Sequence, residues 1–390
     1  MIETSVINTV CKDFDIPFRV YNFEHFRQVF PQYKNTFSAD NEELKKINMI
    51  ESIVDLLVSA DNDLSNYRKS SGFLFKAIGD VMAFMWRSMK GENDETVKPF
   101  YDEFNTCDMN KLFPLEKLNI PSGDVYNFEN VSKSYISVDM SKAVFQAFRF
   151  AKPEIVYNTQ SWTDYVDLMV DKFVADAKKN EDNPCHEDAD LFDEMFVKWF
   201  IFKYIENSRN IRQVVFGKTN GGRLCHIEKY IMQEKVYKPI MEKFPYAKPV
   251  KLCNDEIIFD YDTKLLHDLQ DYFAEVKDFV FKVEAFKIGG MKIYQVDTDA
   301  TEYLYDWDNR FSGKYSVGVG NVIVRRRIDK NNSFSFKCCP ARLRYFANLF
   351  MSGRTVIDTK HINPTFTKID ANGLSGYMSG ELAVEKILCV

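Results

Sequence analysis

Nowhere does the 390-residue chain carry an apolar run approaching the roughly 18 residues that a membrane span needs. Its start, MIETSVINTVCKDFD, has neither the basic opening nor the unbroken apolar stretch of a secretory signal. The five histidines are dispersed, and the eight cysteines (Cys11, Cys107, Cys185, Cys225, Cys253, Cys338, Cys339 and Cys389) include no CxxC, so no zinc site is expected. Cys338-Cys339 reads as two structural thiols, and His186 and His226 as incidental. A reduced, intracellular setting and no membrane partner are the expectation. There is no GxGxxG and no GxxxxGK[ST], which argues against a glycine-rich nucleotide cradle. Internal repeats and low-complexity tracts are absent as well.

What is present suits a chain with a large core and two or three domains, since 45% of its residues are apolar. A net charge of −6 counts against coating nucleic acid through bulk charge. The charges are polarised, however. Val322–Tyr345 holds Arg325, Arg326, Arg327, Lys330, Lys337, Arg342 and Arg344 against the single acid Asp329, with Phe334, Phe336 and Tyr345 interleaved. Cations next to aromatics suit contact with single strands. Glu181–Glu194 holds seven acids and no Lys or Arg, and reads as a solvated loop and helix start.

Periodicity predicts helices over Glu43–Ser59, Phe73–Met89, Trp162–Ala177, Leu191–Glu206, Ile227–Lys243 and Thr263–Val276. Leu191–Glu206 is apolar nearly all round and is expected to be buried. Strands are predicted at Ser134–Asp139, Val250–Tyr261 and Gly320–Arg326, and a helix after Pro340. Phe279–Ala285 and Met291–Val296 are expected to form a hairpin about a Gly289-Gly290 turn. This layout predicts an α+β fold, an antiparallel sheet with helices on one face. The expected organisation is an N-terminal helical region over 1–130, a sheet domain over 131–300 with a helical insertion at 152–245, and a mixed α+β region over 301–390.

The most informative segments are two strand-like stretches that end in carboxylates: Tyr135-Ile136-Ser137-Val138-Asp139, and the run Leu252–Tyr261 with Asp255-Glu256 at its turn. Buried strands tolerate acids only beside a compensating cation or at an exposed turn. Brought side by side, these strands would gather three acids at one sheet edge, an arrangement suited to divalent metals and phosphoryl transfer.

Three segments in order, Tyr135–Gln146, Ser208–Arg223 and the Asn254-Asp255-Glu256 hairpin, resemble motifs A, B and C of the palm-domain nucleic-acid polymerases. The hairpin is closest to the His-Asp-Glu motif of family A DNA polymerases, and Phe279–Val296 is similar to later palm elements of reverse transcriptases and RNA polymerases. The resemblance covers about 135–296. It implies a palm-like sheet, fingers-like helices, a thumb-like C-terminal region, and a strand extended from nucleoside triphosphates on a primer-template. It also implies a pair of Mg2+ (or Mn2+) ions about 3.5–4 Å apart. Asp139 and Asp255 would be the ligands, with the Met140 carbonyl completing a shell and Glu256 as a secondary ligand or positioning acid. Arg209, Arg212 and Lys218 would meet the triphosphate and Phe216 the base, while Arg325, Arg326, Arg327, Lys337, Arg342 and Arg344 would contact nucleic acid. The composition, rich in Asn, Lys, Ile, Phe and Tyr, suggests a viral, phage or mobile-element source.

The chain departs from the family pattern at three places. Val144 stands where those polymerases discriminate sugars, Asn254 replaces the usual His or Gly, and Phe216 runs directly into Gly217 instead of a Tyr-Gly pair. Residues 1–130 show no exonuclease-like set of spaced acids. Each residue also has a plainer reading: Asp139 as a helix N-cap, Asn254-Asp255 as ordinary turn chemistry, and the cations as solvated helix faces. The alternatives for the whole chain are a non-catalytic structural or partner-binding protein with a palm-like sheet, and a template-independent nucleotidyltransferase.

Overall fold

The computed structural model describes residues 4–16, 23–35, 42–62, 70–121, 123–296, 315–328, 334–338, 347, 351, 356–358 and 381–387. Six helices come first: α1 (Thr4–Asp13), α2 (Phe23–Lys34), α3 (Glu42–Asn62), α4 (Ser71–Met89), α5 (Lys98–Thr106) and α6 (Met109–Leu112). Strand β1 (Ser134–Met140) follows, then α7 (Ala143–Ala151), α8 (Trp162–Lys179), α9 (Ala189–Phe192), α10 (Met195–Asn207), α11 (Arg209–Ile231) and α12 (Lys238–Lys243). The hairpin β2 (Pro249–Leu252) and β3 (Glu256–Asp260) leads through α13 (Thr263–Glu275) into β4 (Phe281–Val296). Strands β5 (Tyr315–Arg327), β6 (Phe334–Cys338), β7 (Val356–Asp358) and β8 (Glu381–Ile387) complete the described elements.

The helix starts are set locally by side-chain caps, which satisfy backbone N–H groups that lack an intrahelical acceptor. Ser70 accepts from the Phe73 N–H at α4, Ser161 from Asp164 at α8, Ser208 from Ile211 at α11 and Asp262 from Leu265 at α13.

The sheet is antiparallel, in the order β2-β3-β1-β4-β5-β6, with β8 pairing β4 and β7. The first four strands follow a β-α-β-β-α-β course: helices separate β1 from β2, a tight turn joins β2 to β3, and α13 separates β3 from β4. This is the split β-α-β arrangement, in which each crossover skips one strand.

Alternation along β1 divides the two faces of the sheet. Ile136, Val138 and Met140, with Ile257, Phe259 and Ala285 of the neighbouring strands, join the main core together with residues of the helices before and after β1. Tyr135, Ile258, Phe286, Ile288 and Ile323 form a second cluster on the other face, covered by Tyr126, Phe128 and Val131. Ser137 and Asp139 share that second face by the same alternation.

Three expectations are corrected. Gly289-Gly290 is no turn, because β4 runs unbroken through it and pairs with β5 at both glycines. A Cβ on Gly290 would lie 2.9 Å from the Phe128 ring and 3.0 Å from Val131, so the glycine admits a close approach of the covering segment. The apolar Leu191–Glu206 stretch is split into α9 and α10, and it is buried on one side only: Met195 is 88% and Trp199 48% exposed. Ile227–Lys243 is not a single α-helix, since Met232–Tyr237 forms a π-helical segment between α11 and α12. The helix expected after Pro340 falls largely outside the described residues. Among the described residues no helix is long and apolar enough to cross a membrane.

Candidate functional site

Met140 and Asp255, 115 positions apart, are joined by a main-chain hydrogen bond: the Met140 N–H donates to the Asp255 carbonyl at 2.8 Å. Asp139 sits opposite Glu256 on β3 and opposite Lys282 on β4. The two acidic segments therefore meet at one corner of the sheet. Asp139 is part of β1 and not a helix cap, because α7 is preceded by Lys142 in the left-handed region with no side-chain cap bond. Asn254-Asp255 is the turn of the β2–β3 hairpin, closed by the Cys253 N–H donating to the Glu256 carbonyl at 2.7 Å.

The three acids have different surroundings. Burial, then Glu256 and Asp255, push the Asp139 carboxyl up to about 6, against opposing pulls from Arg325 and Lys337. Asp255 is raised too, mainly by burial, with Glu256 adding to it and Lys337 and Arg209 opposing. Glu256 shifts the other way. Burial would raise it, but Arg325, Lys337 and a Ser137 bond hold it below the usual carboxylate range.

Glu256 is thus engaged inside the protein. Its Oε1 lies 2.5 Å from Arg325 Nη1 and accepts from Ser137 Oγ at 2.6 Å. Arg325 is 5% exposed, stacks 4.1 Å from the Phe286 ring centroid, and donates its other nitrogen to Glu284 at 3.0 Å. Arg327 and Lys282 each lie 2.6 Å from Glu284 Oε1. A row of charges thus crosses from β3 to β5, each group held by an opposite one, the condition under which buried charge is tolerated.

This corrects two expectations. Arg325 is an internal partner of Glu256 and not a nucleic-acid contact, and Arg327 is turned to Glu284. Arg326 on the same strand is half-buried. Lys337 is exposed on β6, with its ammonium 5.3 Å from the Tyr126 ring centroid. Lys251 of β2 lies 5.9 Å from the same ring, so the two ends of the strand path approach each other over Tyr126. Arg342 and Arg344 lie outside the described residues.

The residues expected to bind nucleotide are not all brought together. Arg209 is exposed at the start of α11 and acts on Asp255. Arg212 lies 6.0 Å from the Trp162 ring centroid; burial and then Arg209 depress its pKa. Lys142, which sequence reasoning passed over, is depressed by burial and by Arg212, with Glu206 opposing. Phe216 is 1% exposed, wedged between Phe148 and Trp162 at 5.7 and 5.4 Å, so it cannot meet a base; it is a core residue. Lys218 turns away, 5.2 Å from the Trp86 ring centroid on α4.

A further acid was missed. Glu228 on α11 is 5% exposed, and burial followed by Asp255 pushes its carboxyl up to about 7. Burial pushes up the thiol of its neighbour Cys225, and Asp255 and Asn254 of the hairpin tip are near enough to act on it. The signal was available in the pattern, since Leu224, Ile227, Glu228 and Ile231 form one helical stripe that is otherwise apolar.

The glycine-containing stretch Lys218-Thr219-Asn220-Gly221-Gly222 lies inside α11, where Asn220 breaks the helical path with extended φ −176° and ψ 75°. Tyr101 OH donates to the Thr219 carbonyl at 2.7 Å, and Asn220 donates to Asn105 at 2.8 Å, so α5 supports the break.

A cation suits Asp139 and Asp255, because both are partly buried acids with raised pKa values and no ion pair of their own among the described residues. Glu256 does not fit as a ligand while Arg325 holds it. Among the described residues no three His, Cys, Asp or Glu side chains gather closely enough to hold a metal ion alone. Magnesium commonly takes only one or two protein carboxylates and completes its shell with water and substrate phosphates. No protein-family model, curated protein or solved structure matches the chain.

Proposed function

We propose that the chain is a nucleic-acid polymerase that extends a strand from nucleoside triphosphates at the Asp139–Asp255 corner. The observation that carries this reading is the Met140–Asp255 main-chain bond, which sets the Asp139 end of β1 beside the carboxylate-bearing β2–β3 turn. The strand order β2-β3-β1-β4, with the acids at the end of β1 and in the β2–β3 turn, supports a palm-like sheet. The helices between β1 and β2 would serve as fingers and the strands after β4 as part of a thumb.

In this reading Asp139 and Asp255 hold Mg2+ or Mn2+, with the Met140 carbonyl as a further oxygen donor. Bound there, the ions would supply activation of the attacking hydroxyl and neutralisation of the triphosphate. Arg209 and Arg212 meet the phosphates from the start of α11, because charged fork-like donors suit phosphate oxygens. Glu256 acts indirectly: pinned by Arg325 and Ser137, it fixes the strand that presents Asp255. Ion-pair neutralisation of the third acid also favours a second reading, a non-catalytic binding protein with a palm-like sheet.

One assay separates the two: labelled NTPs and dNTPs with DNA and RNA primer-templates, with Mg2+ and with chelator. The enzyme reading expects metal-dependent incorporation that Asp255→Asn abolishes while the thermal melt survives. Incorporation on primer alone would indicate a template-independent nucleotidyltransferase. Incorporation unaffected by Asp255→Asn would remove the site assignment.

A further inference from the structure

Away from the acid corner, three cations converge on one indole. The ring centroid of Trp86 on α4 lies 4.7 Å from Lys90 Nζ, 5.2 Å from Lys218 Nζ on α11 and 5.5 Å from the Arg87 guanidinium carbon. Arg87 and Lys218 are exposed; Trp86 and Lys90 are half-buried. None of the three cations makes an ion pair or donates a side-chain hydrogen bond among the described residues. Elsewhere on the helical surface cations do find acids: Lys172 lies 3.1 Å from Asp94, Lys178 2.6 Å from Asp193 and Lys198 2.5 Å from Asp171. In a chain of net charge −6, three cations gathered on one ring and left without an ion pair, although Glu92 donates its N–H to the Arg87 carbonyl at 2.9 Å, mark a surface suited to an outside anion. Each cation–π contact offsets only a small part of their mutual repulsion at an exposed site.

We propose that Trp86, Arg87, Lys90 and Lys218 form a binding surface for the phosphates of a single-stranded nucleic acid. The choice of nucleic acid over other polyanions rests on the polymerase reading and on continuity along α11. Lys218 lies six residues past Arg212, about 9 Å further along the axis and a third of a turn around it. A strand passing the acid corner beside Arg209 and Arg212 therefore reaches the Trp86 cluster next, and a single strand is flexible enough to follow the turn. The Asn220 break, held by Tyr101 and Asn105, fixes the end of the helical segment that presents Lys218.

The test is binding of a fluorescent single-stranded oligonucleotide across a salt series, without nucleotide or divalent metal. The triple variant Arg87→Gln, Lys90→Gln, Lys218→Gln is expected to bind roughly tenfold more weakly at low salt. Its slope of log K against log salt should be about 2 units shallower, at about 0.7 per lost phosphate contact. A control triple of exposed lysines, Lys12→Gln, Lys111→Gln and Lys117→Gln, should change little. The surface is overturned if the wild-type chain does not bind the strand, if the control matches the triple variant, or if polyglutamate competes as well as the oligonucleotide. Strand binding that needs the cluster while no nucleotide is ever incorporated upholds the surface and removes the polymerase reading. Incorporation by a chain whose triple variant binds normally does the reverse.

Discussion

Arg325 Nη1 stands 2.5 Å from Glu256 Oε1 across a buried face of the sheet, so a cation of β5 and an acid of β3 are held as one unit. The third acid of the corner is thereby neutralised from within, whereas Asp139 and Asp255 have no ion pair among the described residues.

Removing one member of that pair strands the other in a poorly solvated place. Arg325→Met is expected to cost about 3–5 kcal/mol, the range for breaking a buried ion pair. Adding Glu256→Gln to that variant should recover part of the loss. Urea melts of the two single variants and the double variant measure the coupling; additive losses would mean that the two groups act independently.

Asp139 gives a pH dependence of definite sign. Its folded pKa of about 6 lies above its ordinary 3.8, and Glu228 at about 7 lies above its ordinary 4.5. Such acids bind protons more tightly in the folded chain, so without divalent metal stability should fall as pH rises from about 4 to 7. Asp139→Asn removes the buried charge and should stabilise the metal-free protein at pH 8 by on the order of 1–3 kcal/mol. Melting curves at pH 5 and pH 8 check this; a variant less stable than wild type at pH 8 would refute it.

Divalent metal should act in the opposite direction. Magnesium bound to the folded chain alone raises the melting temperature by mass action, and the rise should grow with concentration. Asp139→Asn and Asp255→Asn should both lose that rise, and Glu256→Gln should largely keep it. Equal loss in all three would make Glu256 a ligand after all.

Glycines give a contrast in steric room. Gly290→Ala places a Cβ 2.9 Å from the Phe128 ring and is expected to destabilise by about 1–3 kcal/mol. A Cβ on Gly222 meets nothing within 4 Å, so Gly222→Ala in α11 should stabilise by up to about 1 kcal/mol. Chemical denaturation of both variants settles the pair of signs.

Local periodicity was enough to read most of the elements that frame the site. β1, the β2–β3 hairpin, α4, α8 and α13 all lie close to their expected spans because each is specified by its own apolar stripe or alternation. The errors share one origin, which is partners distant in the chain. Gly289-Gly290 has the composition of a turn, and only the Phe128 segment folded against Gly290 shows why β4 continues. Arg325 looks like part of a basic surface until Glu256 and Glu284 are brought to it from other strands. Phe216 sits one turn from Arg212, and nothing local shows that Phe148 and Trp162 enclose it. Glu228 was the exception: it was missed although its place on an otherwise apolar stripe is a local signal.

Strand β4 has a practical corollary for dissecting the protein. Its first half pairs with β1, its second half with β8, and most of its length with β5. A fragment ending near residue 280 would retain both aspartates yet leave β1 with a bare edge, open to self-association. The shortest piece worth expressing for assays at the acid corner must therefore run through β5, because only then does Glu256 keep its arginine.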